Sequence, residues 1–467
     1  MTVGAWTPLE WLALAERELL LFAGAFFLIG LADELAVDGL WIWLRLTGRA
    51  RTLRIRRDNH RLPELAGPAA LLIPAWQEAG VLATTIAHAL QAWPQRQLRL
   101  YAGCYRNDVA TAEAILRGAG IDPRVRLVVH DRDGPTTKAD WLNRLYAAMV
   151  ADEERSGCRF HMVLQHDAED MVDPAALGLL DAALERADFI QLPVLPEPQP
   201  RSRWIGSHYC EEFAEAHGKA MVVRGALGVA LPAAGVGCAF SRGMLGSIAE
   251  EMSGAGPFSV DSLTEDYELG LKIKAIGGRA SFLRARGEDG RLVATRACFP
   301  PTLPQAVRQK ARWVHGIAFQ GWDRLGWTGG LAESWMRLRD RRGPLAALVL
   351  FAAYALLILA AALWLAEQLG FGHQWRPSGA LRTVLWINLG SFAWRTAMRF
   401  AFTSREYGWA EGARAVLRLP HANIIAIMAG RRALIAYVRS LMGAQLHWDK
   451  TSHHAHPVEL AGGEVPV

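Results

Sequence analysis

The stretch "VLQHDAEDMVDP" (163–174) ends an apolar run on three carboxylates in four positions, Asp167, Glu169 and Asp170. Acids this close repel one another, so their spacing asks for water or a cation between them. A solvated turn is one answer. The other is that Asp167 and Glu169 share one hard divalent ion, which keeps its remaining positions for water and diphosphate oxygens. Oxygen donors of this kind suit Mg2+ or Mn2+, with Asp170 as a supporting or surface acid. The five cysteines are scattered without a CxxC pair. They read as reduced thiols, not as a zinc site or a disulfide frame.

These residues need a scaffold, and the pattern around them supplies one. "AALLIPA" (69–75), "QLRLYAGCY" (97–105), "RVRLVVH" (124–130), "FHMVLQH" (160–166) and "DFIQLPV" (188–194) read as strands. Helical spacing fills 78–93, 109–118, 137–150 and 174–186 between them. Such alternation predicts an α/β domain, a mostly parallel sheet covered on both faces. Ligands of such sheets bind beyond the carboxyl ends of the strands, which is where the three acids fall.

Apolar stretches flank this region. Residues 343–366 carry no charge and are long enough to cross a bilayer. Residues 19–44 and 379–404 are further candidates, the first interrupted by Asp33, Glu34 and Asp38, the second by Arg395 and Arg399. The acids are expected near a helix end at the interface, with helix pairing or glycan passage as the other reading. Seven arginines against one acid between Arg45 and Arg61, and Arg337, Arg339, Arg341 and Arg342 before the second span, put residues 45–342 in the cytoplasm. The expected organisation is a membrane segment at 1–46, a catalytic domain at 47–336, two spans within 337–404, and interfacial helices with a tail at 405–467. Nothing in the composition or motifs calls for nucleic acid, and the glycine-rich "AGVGCAFSR" (234–242) lacks the spacing and lysine of a P-loop.

Five short motifs now follow in one order: "LIPAWQE" (72–78), "KADWLN" (138–143), "DAEDMVDP" (167–174), "TED" (264–266) and "QKARW" (309–313). In that order they resemble the membrane-bound, inverting members of glycosyltransferase family 2, with Glu169 in place of the second aspartate of a D-x-D. The resemblance implies a GT-A (Rossmann-like) domain with flanking transmembrane helices. It also implies a UDP-sugar donor, a hexose or N-acetylhexosamine, and a glycan acceptor. Asp266 would be the base that takes the acceptor's proton, with Glu265 beside it. Arg312 would steady the leaving diphosphate, Trp313 would stack on the acceptor and Gln309 would hydrogen-bond near it. Pro74, Trp76 and Glu78 would line the uridine site, Asp108 would contact the base, and Lys138 would lie by the diphosphate. Ser262 and Glu265 also form a capping-box pattern.

A narrower resemblance lies in "HYCEEFAEAHGKAMVVRGALGVALPAAGVGCAFSR" (208–242) and "HWDKTSHH" (447–454). It points to the phage-adsorption group of that family, inner-membrane enzymes linked to making and exporting a surface polysaccharide. A homo-oligomer or an outer-membrane export partner is expected. A cyclic-dinucleotide domain common in that group has no room before Val467. Trp448, Lys450 and Thr451 are expected to fold over bound nucleotide, and His454 and His456 to belong to a disordered tail. An inactive scaffold for export or phage adsorption, or a transferase using a lipid-linked acceptor, would be the competing functions.

Overall fold

Alternation along the first sheet strand decides the domain's layering. In a computed structural model, Ala69–Pro74 (β1) is buried throughout. Its Leu71 and Ile73 face one core with Leu82, Ile86 and Trp93, whereas Ala70 and Leu72 face the other with Trp141, Leu142 and Leu145. A strand covered on both faces needs apolar residues at every position, and this one has them. The structure describes residues 7–60, 64–371, 375–444 and 456–460.

Six more strands join it: Leu98–Tyr105 (β2), Val125–His130 (β3), Met162–Gln165 (β4), Phe189–Gln191 (β5), Cys238–Ser241 (β6) and Ala280–Phe282 (β7). Their order is β3-β2-β1-β4-β6-β5-β7. β1 to β4 run parallel, and β6 lies antiparallel to both β4 and β5. All five strands read from the pattern are present; β6 and β7 went unread. The chain moves outward from β1 to β3 and then returns to place β4 on the other side of β1. That reversal opens a crevice at their carboxyl ends.

Two helices, Pro8–Leu46 and Gly343–Gln368, are long and apolar enough to cross a membrane. They pack together, and their outer faces leave Leu348, Phe351, Leu357, Ile358 and Trp364 exposed. The third expected span, 379–404, lies in the helix Gly379–Tyr407 of 29 residues, which falls short in apolarity because Arg382, Arg395, Arg399 and Arg405 interrupt it.

The acids of the first helix are not at its end. The helix continues to Leu46, and Asp38 is 2% exposed. Asp33 pairs with Arg339 and Arg342 and accepts from Trp335 Nε1 at 2.7 Å. Glu34 meets Arg339, Arg342 and Arg395 at 3.0, 2.5 and 3.2 Å. Asp38 accepts from Lys219 Nζ and from Trp394 Nε1, each at 2.7 Å. Helix pairing, the second reading, is what these carboxylates do. They tie the first helix to the catalytic domain and to the Gly379–Tyr407 helix.

Past residue 405 the helices Trp409–Leu417 and Leu419–Leu441 do not lie alone under a bilayer. Arg418 between them is fully buried, clamped by Glu211 at 2.7 Å and Glu411 at 2.6 Å. The longer helix packs Ala429 and Ala433 on Ala311.

Lys219→Met would strip the ammonium from between Asp38 and Glu215, 2.7 and 2.8 Å away. Breaking a buried pair from one side costs about 3–5 kcal/mol. A fall in Tm is therefore expected in detergent-purified protein, partly restored when Asp38→Asn is added.

Candidate active site

The crevice is built from four pieces of chain that local rules place. Beyond β4, Asp170 is buried and accepts the Asp167 N–H at 2.9 Å and the His166 ring nitrogen at 2.8 Å. This closes the turn that carries Asp167 and the half-buried Glu169. Asp170 is thus not a surface acid but the pin of the turn, and burial raises its pKa against the His166 hydrogen bond. Thr85 and His88, from the Leu82–Ala92 helix, bond the carbonyls of Ala168 and Val172 on the same segment.

Lys138 opens the helix Lys138–Ser156, capped by Thr137, whose hydroxyl accepts from the Asp140 N–H. A cation is disfavoured at a helix N-terminus, and this one is held by carboxylates. Its Nζ lies 2.5 Å from Asp167 and 4.0 Å from Glu265. Burial presses the ammonium's pKa down, but Asp167, Glu265 and Asp266 outweigh burial and leave it raised. Conversely, burial and then Asp266 push Glu265 up to about 7, against Lys138 and Arg312. Burial also raises Asp266, opposed by Lys138, the Tyr267 N–H and Arg312.

The capping box does not form. Thr264 is the N-cap of Glu265–Ala275, and the Ser262 hydroxyl accepts the Thr264 N–H at 3.3 Å. Glu265 is drawn into the site toward Lys138 and is unavailable to reach back. Asp266 Oδ1 accepts from the Tyr267 N–H at 2.7 Å. Its other face meets Gly235, whose φ is +75° and where an added Cβ would sit 2.3 Å from Asp266 Oδ2. The glycine at this position leaves room for the carboxylate.

The fourth piece is the helix Leu303–Trp313, which continues as a π-helical segment Val314–Gln320. Arg312 and Trp313 line one cleft with Lys138, Glu265 and Asp266. Trp313 backs onto Tyr209, Phe213 and Phe299, with ring centroids 6.0–6.4 Å away. Gln309 buries its Oε1, which has no hydrogen-bond partner among the described residues. Gly316 lets the π-helical segment close on Thr264, since a Cβ there would meet Thr264 Oγ1 at 2.5 Å.

Pro74, Trp76, Glu78 and Asp108 lie at the neighbouring strand ends, outside that lining. Trp76 stands edge-on to Tyr105 at 5.0 Å. Asp108 accepts the Gln77 N–H at 2.6 Å and the Thr111 N–H at 3.3 Å, so it holds Gln77 at its positive φ of 54°. Trp448, Lys450 and Thr451 fall outside the described residues. His456, expected in a disordered tail, is buried, and its Nδ1 accepts the Val458 N–H at 3.2 Å. Thr137 was missed as a site-forming residue, and so was the room that Gly235 leaves for Asp266. A threonine directly before Lys138 was a cap signal that could have flagged the first.

Asp167 and Glu169 offer oxygen donors only, and among the described residues no three His, Cys, Asp or Glu are placed to hold one metal ion. A two-carboxylate edge fits a hard cation that brings its own diphosphate and water ligands, not a caged structural ion.

Comparison with known proteins bears on this arrangement. Residues 66–316 match the family described as glycosyltransferase-like family 2. The chain belongs to glycosyltransferase family 2; its domain is a GT-A glycosyltransferase. It is 34% identical to the bacteriophage adsorption protein B of Escherichia coli K12 over 91% of its own length, and spans 60% of that relative. Among solved structures it is similar to a mannosyltransferase from Pyrobaculum calidifontis, in complex with GDP-Man and Mn2+. That match has 16% identity and a TM-score of 0.46, over 85% of this chain and 98% of the other. A glucosyl-3-phosphoglycerate synthase from Mycobacterium tuberculosis matches at 14% identity and TM-score 0.32, over 54% and 80%.

Gly235→Ala should lower sugar turnover by about 100-fold, the scale expected when a reacting group moves by an ångström. Alanine at this positive φ is strained, so Tm should fall as well, while donor KM stays near the parent's. A second outcome concerns stability. A carboxyl raised on folding favours the fold below its unfolded pKa and loses that contribution as pH rises through the folded value. For Glu265 the loss falls between its ordinary range of about 4.3 and about 7. Chemical denaturation across that window should show the parent declining relative to Glu265→Gln.

Proposed function

We propose that this chain is an inner-membrane enzyme that moves a hexose or N-acetylhexosamine from a UDP-sugar, with inversion, onto a growing exported polysaccharide. The observation that carries the reading is the meeting of Lys138, Asp167, Glu265, Asp266 and Arg312 in one crevice at the carboxyl ends of β1 and β4. The apolar faces of the two long helices support the membrane assignment. The likeness to phage adsorption protein B supports export of the product.

In this reading the acceptor hydroxyl gives its proton to Asp266 while its oxygen bonds to the anomeric carbon. The bond from that carbon to the diphosphate oxygen breaks on the opposite face and leaves its electron pair with UDP. Burial suits Asp266 to the task, because a carboxylate with a raised pKa is a stronger base at neutral pH. Arg312 presents a permanently charged fork toward the diphosphate. Trp313, fixed from behind by three aromatic rings, offers its free side to the acceptor sugar. Asp167 and Glu169 would hold Mg2+ or Mn2+, which supplies charge neutralisation for the departing diphosphate. Lys138 pairs with one of them, Asp167, at 2.5 Å.

The test is a panel of UDP-sugars incubated with purified protein, with and without Mn2+. One donor should be turned over in a Mn2+-dependent way. Asp167→Asn and Asp266→Asn, verified as folded, should each lose about 100-fold or more, the scale of a general-base contribution. Full turnover by both variants would remove the assignment.

A further inference from the structure

Arg341 is 6% exposed, and none of its three guanidinium nitrogens has a hydrogen-bond partner among the described residues. It lies at the end of the helix Leu331–Arg341, just before the membrane-crossing Gly343–Gln368 helix. Every acid close to it in the chain is already committed. Asp340 takes Arg224 at 2.8 and 2.9 Å and the Tyr267 hydroxyl at 2.9 Å. Glu333 takes Arg337 at 3.1 Å and the Ala230 N–H at 2.9 Å. What covers the guanidinium is aromatic. Its Cζ lies 4.5 Å from the ring centre of Trp327 and 6.0 Å from that of Trp322. The two indoles stand edge to face at 4.9 Å and are themselves 40% and 55% exposed.

A guanidinium removed from water without an anion is costly, and ring contacts recover only part of that cost. Burial presses its pKa down and Arg337 adds to the effect, with Tyr267 and the already committed Asp340 opposing it. Five N–H donors with no acceptor form a planar fork suited to a phosphate. The level is that of lipid headgroups. Half-exposed tryptophans just before an apolar span mark a membrane interface, and Leu331 and Leu338 on the same helix leave 93% and 55% of their surface exposed.

We infer that Arg341, beneath the Trp322–Trp327 cover, is a binding site for a phosphate group, supplied by the headgroup of an anionic phospholipid at the cytoplasmic face. The indoles shield the charge until the phosphate replaces Trp327 over the guanidinium. The site is separate from the sugar-transfer crevice and holds whichever sugar is transferred; it shares only the membrane reading with the proposed function.

The test uses the full chain in a neutral, phosphate-free detergent. Short-chain phosphatidylglycerol, phosphatidylcholine, or inorganic phosphate alone is titrated in while Tm and tryptophan fluorescence are followed. Phosphatidylglycerol should raise Tm and change the emission, with much weaker effects from phosphatidylcholine. Arg341→Gln should weaken its apparent affinity by about tenfold or more, the scale of one lost charge-assisted pair, and Arg341→Lys should recover part. Inorganic phosphate matching the lipid would retain the site but assign its ligand to the soluble pool. Trp327→Ala, which keeps the fork and removes its cover, should retain the response. Loss of the response in that variant, or an equal response in the parent and a folded Arg341→Gln, would overturn the inference.

Discussion

An ammonium among three carboxylates governs the catalytic domain. Asp167, Glu265 and Asp266 converge from two separate turns, and without a cation the two turns would not stay together. At an effective dielectric of 20, a pair of like charges 4 Å apart repels by about 4 kcal/mol. Lys138 supplies the cation from the start of a third element. Its position explains why the β4 turn needs Asp170 as a pin and why Glu265 does not cap its own helix. One ammonium shared by Asp167 at 2.5 Å and Glu265 at 4.0 Å gives both turns a common counter-charge.

The parallel half of the sheet was legible because its strands are buried on both faces and leave unbroken apolar runs between helical segments. β6 was not, because "CAFS" (238–241) follows glycines and gives a strand pattern of only four residues. Arg418 misled for a different reason. An arginine among Ala, Leu and Ile reads as an interfacial residue unless its acids are known, and Glu211 lies far away in sequence. His456 was hidden in the same way. Nothing in the tail's composition signals that His456 is fully buried. The crevice acids themselves could be read from type and order. The geometry that tunes them could not, because it rests on Gly235 and Thr264, residues whose role is to leave space.

Two π-helical segments show how the crevice is coupled to its surroundings. The first, Ala216–Ala220, carries Lys219 to Asp38 on the membrane helix, and its Gly218 carbonyl accepts from Trp41 Nε1 at 3.0 Å. Gly218 has no room for a side chain, since a Cβ there would meet Phe402 at 2.5 Å. The second, Val314–Gln320, follows Arg312 and Trp313 and closes through Gly316 on Thr264, next to Glu265 and Asp266. A π turn holds an extra residue and so re-aims the side chains on either side of it. In an unbroken α-helix, the residues facing the cleft and those facing the neighbouring helix would be fixed to one periodicity. The extra residue frees them, so that Arg312 can face the cleft while Gly316 meets Thr264. Each π segment therefore stands where a catalytic element must satisfy two partners at once, the membrane helix in one case and the Thr264–Asp266 motif in the other.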